Sequence, residues 1–280
     1  MVRLATAGRR TTTLGQRSAM VKRPLGQTGI AVTPIAYGAF KIGGRQDAGV
    51  GQYEVPTGDQ ANALLNLALD LGVNLIDTAR SYHLSEHRVG QALANRRDEY
   101  ALITKAGEVW SPADGSAHHF GAAAIEESLR TSVDELQTNR LDVVLVHSTC
   151  DDVEVLTNHG VCTTLETLRS RRGPIEIGAV GFSGYTPAAF ELAMQWADVL
   201  MVEYNLNRRA LEPVITRACD RGIGVVVKKV FDQGRLRSRA DEALRFALEH
   251  PGVTSVAIDT TSSDRLRHAV CIAEQMLPVR

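Results

Sequence analysis

The sequence predicts an α/β protein folded as a (β/α)8 barrel, and three observations carry that expectation. Eight short β-branched or aliphatic runs alternate with eight longer stretches of helical periodicity, the pattern of repeated βα units around a parallel sheet. Eight units within roughly 250 residues match a closed barrel in size, whereas a doubly wound sheet usually has fewer strands. Gly72, Gly173 and Gly222 each follow a helical stretch, where a left-handed glycine turns the chain toward the next strand.

Taken in order, residues 1–22 are rich in Arg, Thr and Ser and contain no acid. They lack an apolar secretory core, so a disordered tail is expected there, with Met20 standing as an alternative start. The first strand is predicted at 34–38 (PIAYG) and the first helix at 60–71 (QANALLNLALDL). Strands at 73–76 (VNLI), 100–103 (YALI) and 141–146 (LDVVLV) follow, separated by helices at 85–96 and 121–137. In the second of these helices Ile125, Leu129, Val133 and Leu136 recur at three- and four-residue steps with Glu and Arg on the other face, which makes it the clearest amphipathic segment. Strands at 177–180 (IGAV), 198–202 (DVLMV), 223–227 (IGVVV) and 253–257 (VTSVA) complete the set, with helices at 162–171, 187–196, 209–220, 238–249 and 263–276. No Gly/Ser linker or shift of composition interrupts 23–280, which is read as a single domain.

Composition narrows the function. A net charge of −1, from 31 basic and 32 acidic side chains, offers no general field for nucleic acid or an anionic membrane. Any partner is recognised locally. The four cysteines, at 150, 162, 219 and 271, form no CxxC pair and are too sparse for a disulfide scaffold, so free thiols and a reducing, cytoplasmic setting are expected. No apolar run approaches the roughly 18 residues of a membrane-spanning helix. His83 and His87 have i, i+4 spacing but no Glu where a zinc protease needs one, so no metal site is expected. His118 and His119 fall in a loop expected to act as a mobile lid.

In a (β/α)8 barrel the chemistry gathers where strands end. VNLI is followed by Asp77, with Tyr82 five residues on; YALIT is followed by Lys105, and LDVVLV by His147. An acid, a phenol, an amine and an imidazole are thus expected at one mouth. A free phenol titrates near 10, and an ammonium beside it is expected to lower that value. Asp77 would keep Lys105 charged, while His147 would hydrogen-bond a carbonyl oxygen on which negative charge develops. The set suits carbonyl reduction with Tyr82 as acid, and alcohol oxidation with Tyr82 as base. A non-redox alternative would use Lys105 as a Schiff-base amine.

The segments RPLGQTGIAVTPIAYGAF (23–40), GVNLIDTARSYHLSEHRVGQAL (72–93), LITKAG (102–107), LDVVLVHS (141–148), AVGFSG (179–184), VEYNLNRR (202–209) and GIGVVVKKVFDQG (222–234) together resemble the aldo-keto reductase family over nearly the whole chain. The resemblance implies an enzyme that reduces an aldehyde or ketone, a small-molecule carbonyl substrate, with hydride from NADP(H) or NAD(H). It also implies no Rossmann domain, and no well-placed G-x-G-x-x-G is present. The family's tetrad falls on Asp77, Tyr82, Lys105 and His147, and its cofactor contacts fall on Ser183, Lys229, Phe231, Thr260 and Arg265.

Four positions depart from the family pattern: Gly184 and Met201 replace two amide side chains, Asp259 stands where Gly or Lys is common, and Ala269 replaces an Asn. Asp259 tilts the expectation toward NAD(H), because a carboxylate repels a 2′-phosphate and bonds a ribose hydroxyl; Arg265 pulls the other way. Lys229 is expected near the pyrophosphate, with Lys228 in place of a packing residue. Phe40, Trp110 and Phe231 are the apolar candidates for the substrate pocket, and the chain ends soon after its eighth helix, which predicts an open mouth. The departures suggest an alternative in which the barrel is a binding or regulatory subunit, as in some relatives resembling channel β-subunits.

Overall fold

The computed structural model describes residues 20–46, 53–171 and 173–276. An antiparallel hairpin, β1 (Arg23–Pro24) and β2 (Ala31–Val32), leads into β3 (Ile35–Gly38), β4 (Leu75–Asp77) and β5 (Ala101–Ala106). A second hairpin, β6 (Glu108–Ser111) and β7 (Gly115–His118), follows, and then β8 (Arg140–His147), β9 (Glu176–Ser183), β10 (Val199–Glu203), β11 (Gly224–Lys228) and β12 (Ser255–Asp259). The two hairpins aside, the strands form one closed parallel barrel in which β12 pairs β3. The helices are α1 (Phe40–Gly43), α2 (Gly58–Asp70), α3 (Ser85–Leu93), α4 (Ala122–Leu136), α5 (Asp152–Asn158), α6 (Val161–Ser170), α7 (Pro187–Ala193), α8 (Glu212–Asp220), α9 (Ala240–Glu249) and α10 (Ser263–Gln275).

All eight expected strands and eight expected helices are present; α1, α5 and the two hairpins are additions. Several strands run further than their apolar runs, because the parallel ladder continues through polar residues: Lys105 pairs with Leu145 and His147 with Ser183. Gly72 and Gly222 take the left-handed conformation, with φ of 85° and 72°. Gly173 does not, since α6 already ends in an extended Arg171 (φ −73°, ψ 125°). His118 and His119 lie at the end of an ordered hairpin instead of an open loop; the backbone N–H of His119 donates to Gly107 O.

The core has two shells. Ile125, Leu129 and Leu136 of α4 join a large cluster between helices and strands, whereas Ala36, Leu75, Ile103, Val143, Leu145, Ala179, Val199, Met201, Val226 and Ala257 fill the barrel lumen. Leu25 and Val32 of the first hairpin belong to this inner cluster and plug the lumen at the end from which the strands start. Met20, placed above in the tail, is only 5% exposed and packs into the outer cluster; residues 1–19 lie outside the described residues. Among the described residues no helix is long and apolar enough to cross a membrane.

Candidate active site

Strand side chains alternate between the lumen and the helices. Continuing the inward set of each strand past its last apolar member gives Gly38, Asp77, Lys105, His147, Ser183, Glu203, Lys228 and Asp259. A ring of polar groups therefore caps the apolar lumen at the ends of the strands. Asp77, Lys105 and His147, expected from sequence, are three of its members.

Lys105 is fully buried; its Nζ donates to Asp77 Oδ1 at 2.5 Å and to the Thr78 carbonyl at 2.8 Å. The ammonium stands over the face of the Tyr82 ring, 4.7 Å from its centroid, a favourable placement for a cation. Phe40 meets the same ring edge-on at 5.0 Å, which makes it a wall of the tyrosine. The Ser85-Glu86 pair braces the site from behind. Ser85 Oγ donates to Ala39 O and shares a hydrogen bond with Thr78 Oγ, while Thr104 Oγ donates to Glu86 Oε1, so the neighbours of Asp77 and Lys105 are both tied to α3.

The expectation that Lys105 lowers the Tyr82 phenol is corrected. Burial first, then Asp77 and Asp259, push the phenol well above its ordinary value. The physical reason is that Asp77 already neutralises the ammonium, so little of its charge is left to stabilise a phenolate in a desolvated place. Tyr82 is held as neutral phenol.

His147 lies edge-on to Tyr82, with ring centroids 5.9 Å apart. Its Nδ1 is 3.0 Å from Glu108 Oε2 and 3.1 Å from Ser81 Oγ. Burial pushes the imidazole down, and the Ser116 hydroxyl and the Arg45 guanidinium help to hold the Glu108 carboxyl below its ordinary value against the opposing effect of burial. The pair is thus neutral imidazole and carboxylate. A carboxylate only accepts, so Nδ1–H donates to Glu108 and Nε2 is left as an acceptor. In this tautomer the expected donation from His147 to a carbonyl oxygen requires the imidazole to take up a second proton, which Glu108 would stabilise. Glu108 was not recognised in the sequence because it opens a hairpin that carries no apolar alternation; its signal was only its place three residues after Lys105.

Ser183 ends β9 beside His147 and accepts a hydrogen bond from Lys228 Nζ at 2.9 Å. Lys228, expected to be a packing substitute, instead turns its amine into the mouth. Period two gives the signal: Gly224, Val226 and Lys228 share the inward face, whereas Lys229 leaves the strand with φ of +56°. The departure at Gly184 has a steric cause. A Cβ there would lie 2.2 Å from the fully buried Phe182 ring and 3.1 Å from Asp152 Oδ2. Asp152 in turn accepts from Tyr185 N, Thr186 N and Thr186 Oγ at 2.7–2.8 Å, and so sets the loop that carries Tyr185. Met201 is part of the lumen packing.

The remaining cofactor candidates gather elsewhere. Lys229, Phe231, Thr260 and Arg265 line one cavity of about 270 Å³, together with Lys41, Arg237, Asp259 and Ala269. The YNLNRR segment shapes its rim: Asn205 donates to Lys229 O at 2.9 Å, and Asn207 and Arg208 bond Asp232. Arg265 Nε donates to Thr260 Oγ, and Ser262 caps the N-terminus of α10 at the same place. Phe231 thus faces this cavity, and Trp110 packs on His83 at 4.9 Å. Asp259 turns toward the lumen against Gly38; burial, then Asp77, push its carboxyl up to about 6. Asp259 thus borders the lumen and the cavity alike.

The sequence profile of the Aldo/keto reductase family matches residues 34–242. The chain belongs to the aldo/keto reductase family. An aldo-keto reductase structure of unproven activity from Pseudomonas aeruginosa is similar with a TM-score of 0.83 and 36% identity, covering 92% of this chain and 97% of that one. Among curated oxidoreductases, the uncharacterized YqkF of Bacillus subtilis is 24% identical over 88% of this chain and 76% of its own length. The NADH-specific methylglyoxal reductase of Escherichia coli is 27% identical over 78% of this aldo-keto reductase and 69% of its own length.

Proposed function

We propose that this protein reduces an aldehyde or ketone to the alcohol with NADPH or NADH, Tyr82 giving the proton to the carbonyl oxygen. The observation that carries the reading is the buried Lys105–Asp77 pair beneath the Tyr82 ring, with the His147 imidazole against its edge. The 270 Å³ cavity suits the phosphate-bearing part of a dinucleotide, since Lys41, Lys229, Arg237 and Arg265 line it and the N-terminus of α10 opens onto it. A nicotinamide dinucleotide held by these residues would supply the hydride for the carbonyl carbon.

The residues of the chain do the rest. Tyr82 is protonated across the neutral range and is ready to act as an acid. As its proton moves to the oxygen, the nascent phenolate meets the Lys105 ammonium, and Asp77 holds that ammonium in place. His147, edge-on to the Tyr82 ring, stands where it would orient the carbonyl compound beside the phenol.

The test is a fluorescence titration of the protein with NADPH and NADH, followed by turnover of aldehydes. Tyr82→Phe is expected to retain cofactor affinity within about threefold and to lose at least about 100-fold in kcat. Wild-type turnover by Tyr82→Phe, or no binding of either cofactor at millimolar concentration, would overturn the reading.

A further inference from the structure

The hairpin of β6 and β7 reaches the tetrad through one side chain. Glu108 opens β6 three residues after Lys105, and its two carboxylate oxygens face different partners. Oε1 accepts from Arg45 Nη1 at 2.9 Å and from Ser116 Oγ at 2.7 Å. Oε2 lies 3.0 Å from His147 Nδ1. Arg45 is itself held from two sides: Nη1 also donates to Ser81 O at 3.1 Å, and Nη2 donates to Ser116 Oγ at 2.6 Å. The Glu108 and His147 side chains are each only 12% exposed, so little water competes for these bonds.

The two donors fix more than the position of Glu108. Because Arg45 and Ser116 both donate to Oε1, the atom that stands there must be an acceptor. Oε2 is then the atom that His147 meets, and a carboxylate oxygen obliges Nδ1 to carry a proton. Ser81 Oγ, 3.1 Å from the same Nδ1, can donate or accept and so does not choose between tautomers. A donation from Nε2 therefore needs a ring that carries both protons. Burial and the charges of Lys105 on β5, Lys228 on β11 and Arg45 oppose the second proton, whereas Glu108 favours it; the Tyr82 phenol against the ring edge is neutral. An imidazolium is a stronger donor than an imidazole, and it brings its charge to the place where a carbonyl oxygen becomes negative.

We propose that Glu108 is the positioning residue of His147: clamped by Arg45 and Ser116, it holds Nδ1–H and supports the second proton with which Nε2 donates to the reacting carbonyl. That second proton comes from water and stays on the ring, while the proton that reaches the oxygen comes from Tyr82. The use of the second proton rests on the reductase reading above; the proton on Nδ1 does not.

Glu108→Gln tests the clamp without a change of volume. The amide oxygen stays with Arg45 and Ser116, so the amide NH2 turns to Nδ1, which must accept, and the ring proton moves to Nε2. Nitrogen-15 NMR of the cofactor-free protein at pH 7 reads which ring nitrogen is protonated, with the His147 signals assigned by their loss in His147→Asn. The wild type is expected to show Nδ1–H and Glu108→Gln to show Nε2–H, while Ser116→Ala, which keeps the carboxylate, should retain Nδ1–H. Nε2–H in the wild type, or Nδ1–H in a folded Glu108→Gln, would overturn the proposal. If circular dichroism shows that Glu108→Gln does not fold, the wild-type and Ser116→Ala spectra decide.

A second arm compares kcat/KM for reduction of an aldehyde by the wild type and Glu108→Gln from pH 8 to pH 5.5. In the variant Nε2–H is a neutral donor throughout, whereas in the wild type the donor form grows about tenfold for each unit by which the pH falls toward the His147 pKa. The ratio of wild type to variant is expected to rise at least about tenfold across the range. Lys228, Asp259 and Glu86, which burial brings into this range, act in both enzymes and cancel in the ratio. A ratio that does not move with pH would overturn the charged donor and leave the reductase standing. Nδ1–H in the wild type without turnover by either protein would sink the reductase and leave the hold of Glu108 on the ring standing.

Discussion

Glu86 shows how a motif residue can matter without touching a substrate. It is fully buried at the back of the tetrad, and burial outweighs the Thr104 hydroxyl, pushing its carboxyl up to about 7 from 4.5. A carboxyl raised in the folded state contributes stability that is complete below pH 4.5 and is lost as the pH rises through 7. Glu86→Gln keeps an acceptor for Thr104 and removes that loss. It is expected to be about 3 kcal/mol more stable than wild type at pH 8, with the gap closing toward pH 4; thermal melts across that range check it. Residues of this kind divide by what a sequence displays. Asp77, Lys105 and His147 were legible because each follows an apolar run where a barrel strand ends, and Tyr82 by its place five residues after Asp77. Glu108 was not, since its partnership with His147 depends on a hairpin folding back over the mouth. Lys228 was legible in principle: period two separates it from Lys229, and only the apolar run, not its phase, was read.

At the scale of elements, the loop after β9 explains a departure that looked like a defect. Gly184 stands where the family resemblance calls for an amide side chain, yet the Phe182 ring, packed on Phe190 at 5.4 Å, already fills that space. Gly184→Asn is therefore expected to destabilise the protein by about 1–3 kcal/mol and to leave NADPH affinity no better. Gly184→Asn with Phe182→Leu should recover much of the stability, as read by urea denaturation. A stable Gly184→Asn single variant with tighter cofactor binding would contradict this account. Every barrel strand and its helix could be seen in the sequence, because burial on two faces writes long apolar runs and helical packing writes a 3.6-residue period. The two hairpins and α1 could not. Their strands are two to four residues long and α1 is a single turn, too short for any period to show, and they are held by contacts with distant segments.

For the molecule as a whole, closure of the barrel leaves a lumen that must be filled from both ends. The polar ring closes one end, and the first hairpin closes the other with Leu25, which has no exposed surface. Leu25→Ala is expected to cost about 2–5 kcal/mol in urea denaturation, although Leu25 lies at the end of the barrel opposite the tetrad; a loss below about 1 kcal/mol would show that the hairpin is an ornament. The closed eight-strand barrel was readable from the count of βα units, whereas the plug was not, since nothing in RPLGQTGIAV announces which cavity its leucine enters. The second hairpin has a different bearing on how such a barrel diversifies. Its root grips the imidazole through Glu108, but its tip, Pro112, Ala113 and Asp114, faces water. Sequence libraries spliced between Ser111 and Gly115 should therefore change which molecules are admitted while the buried Lys105–Asp77 and Glu108–His147 pairs are inherited intact, which makes that tip the natural graft point for anyone seeking new selectivity on this scaffold.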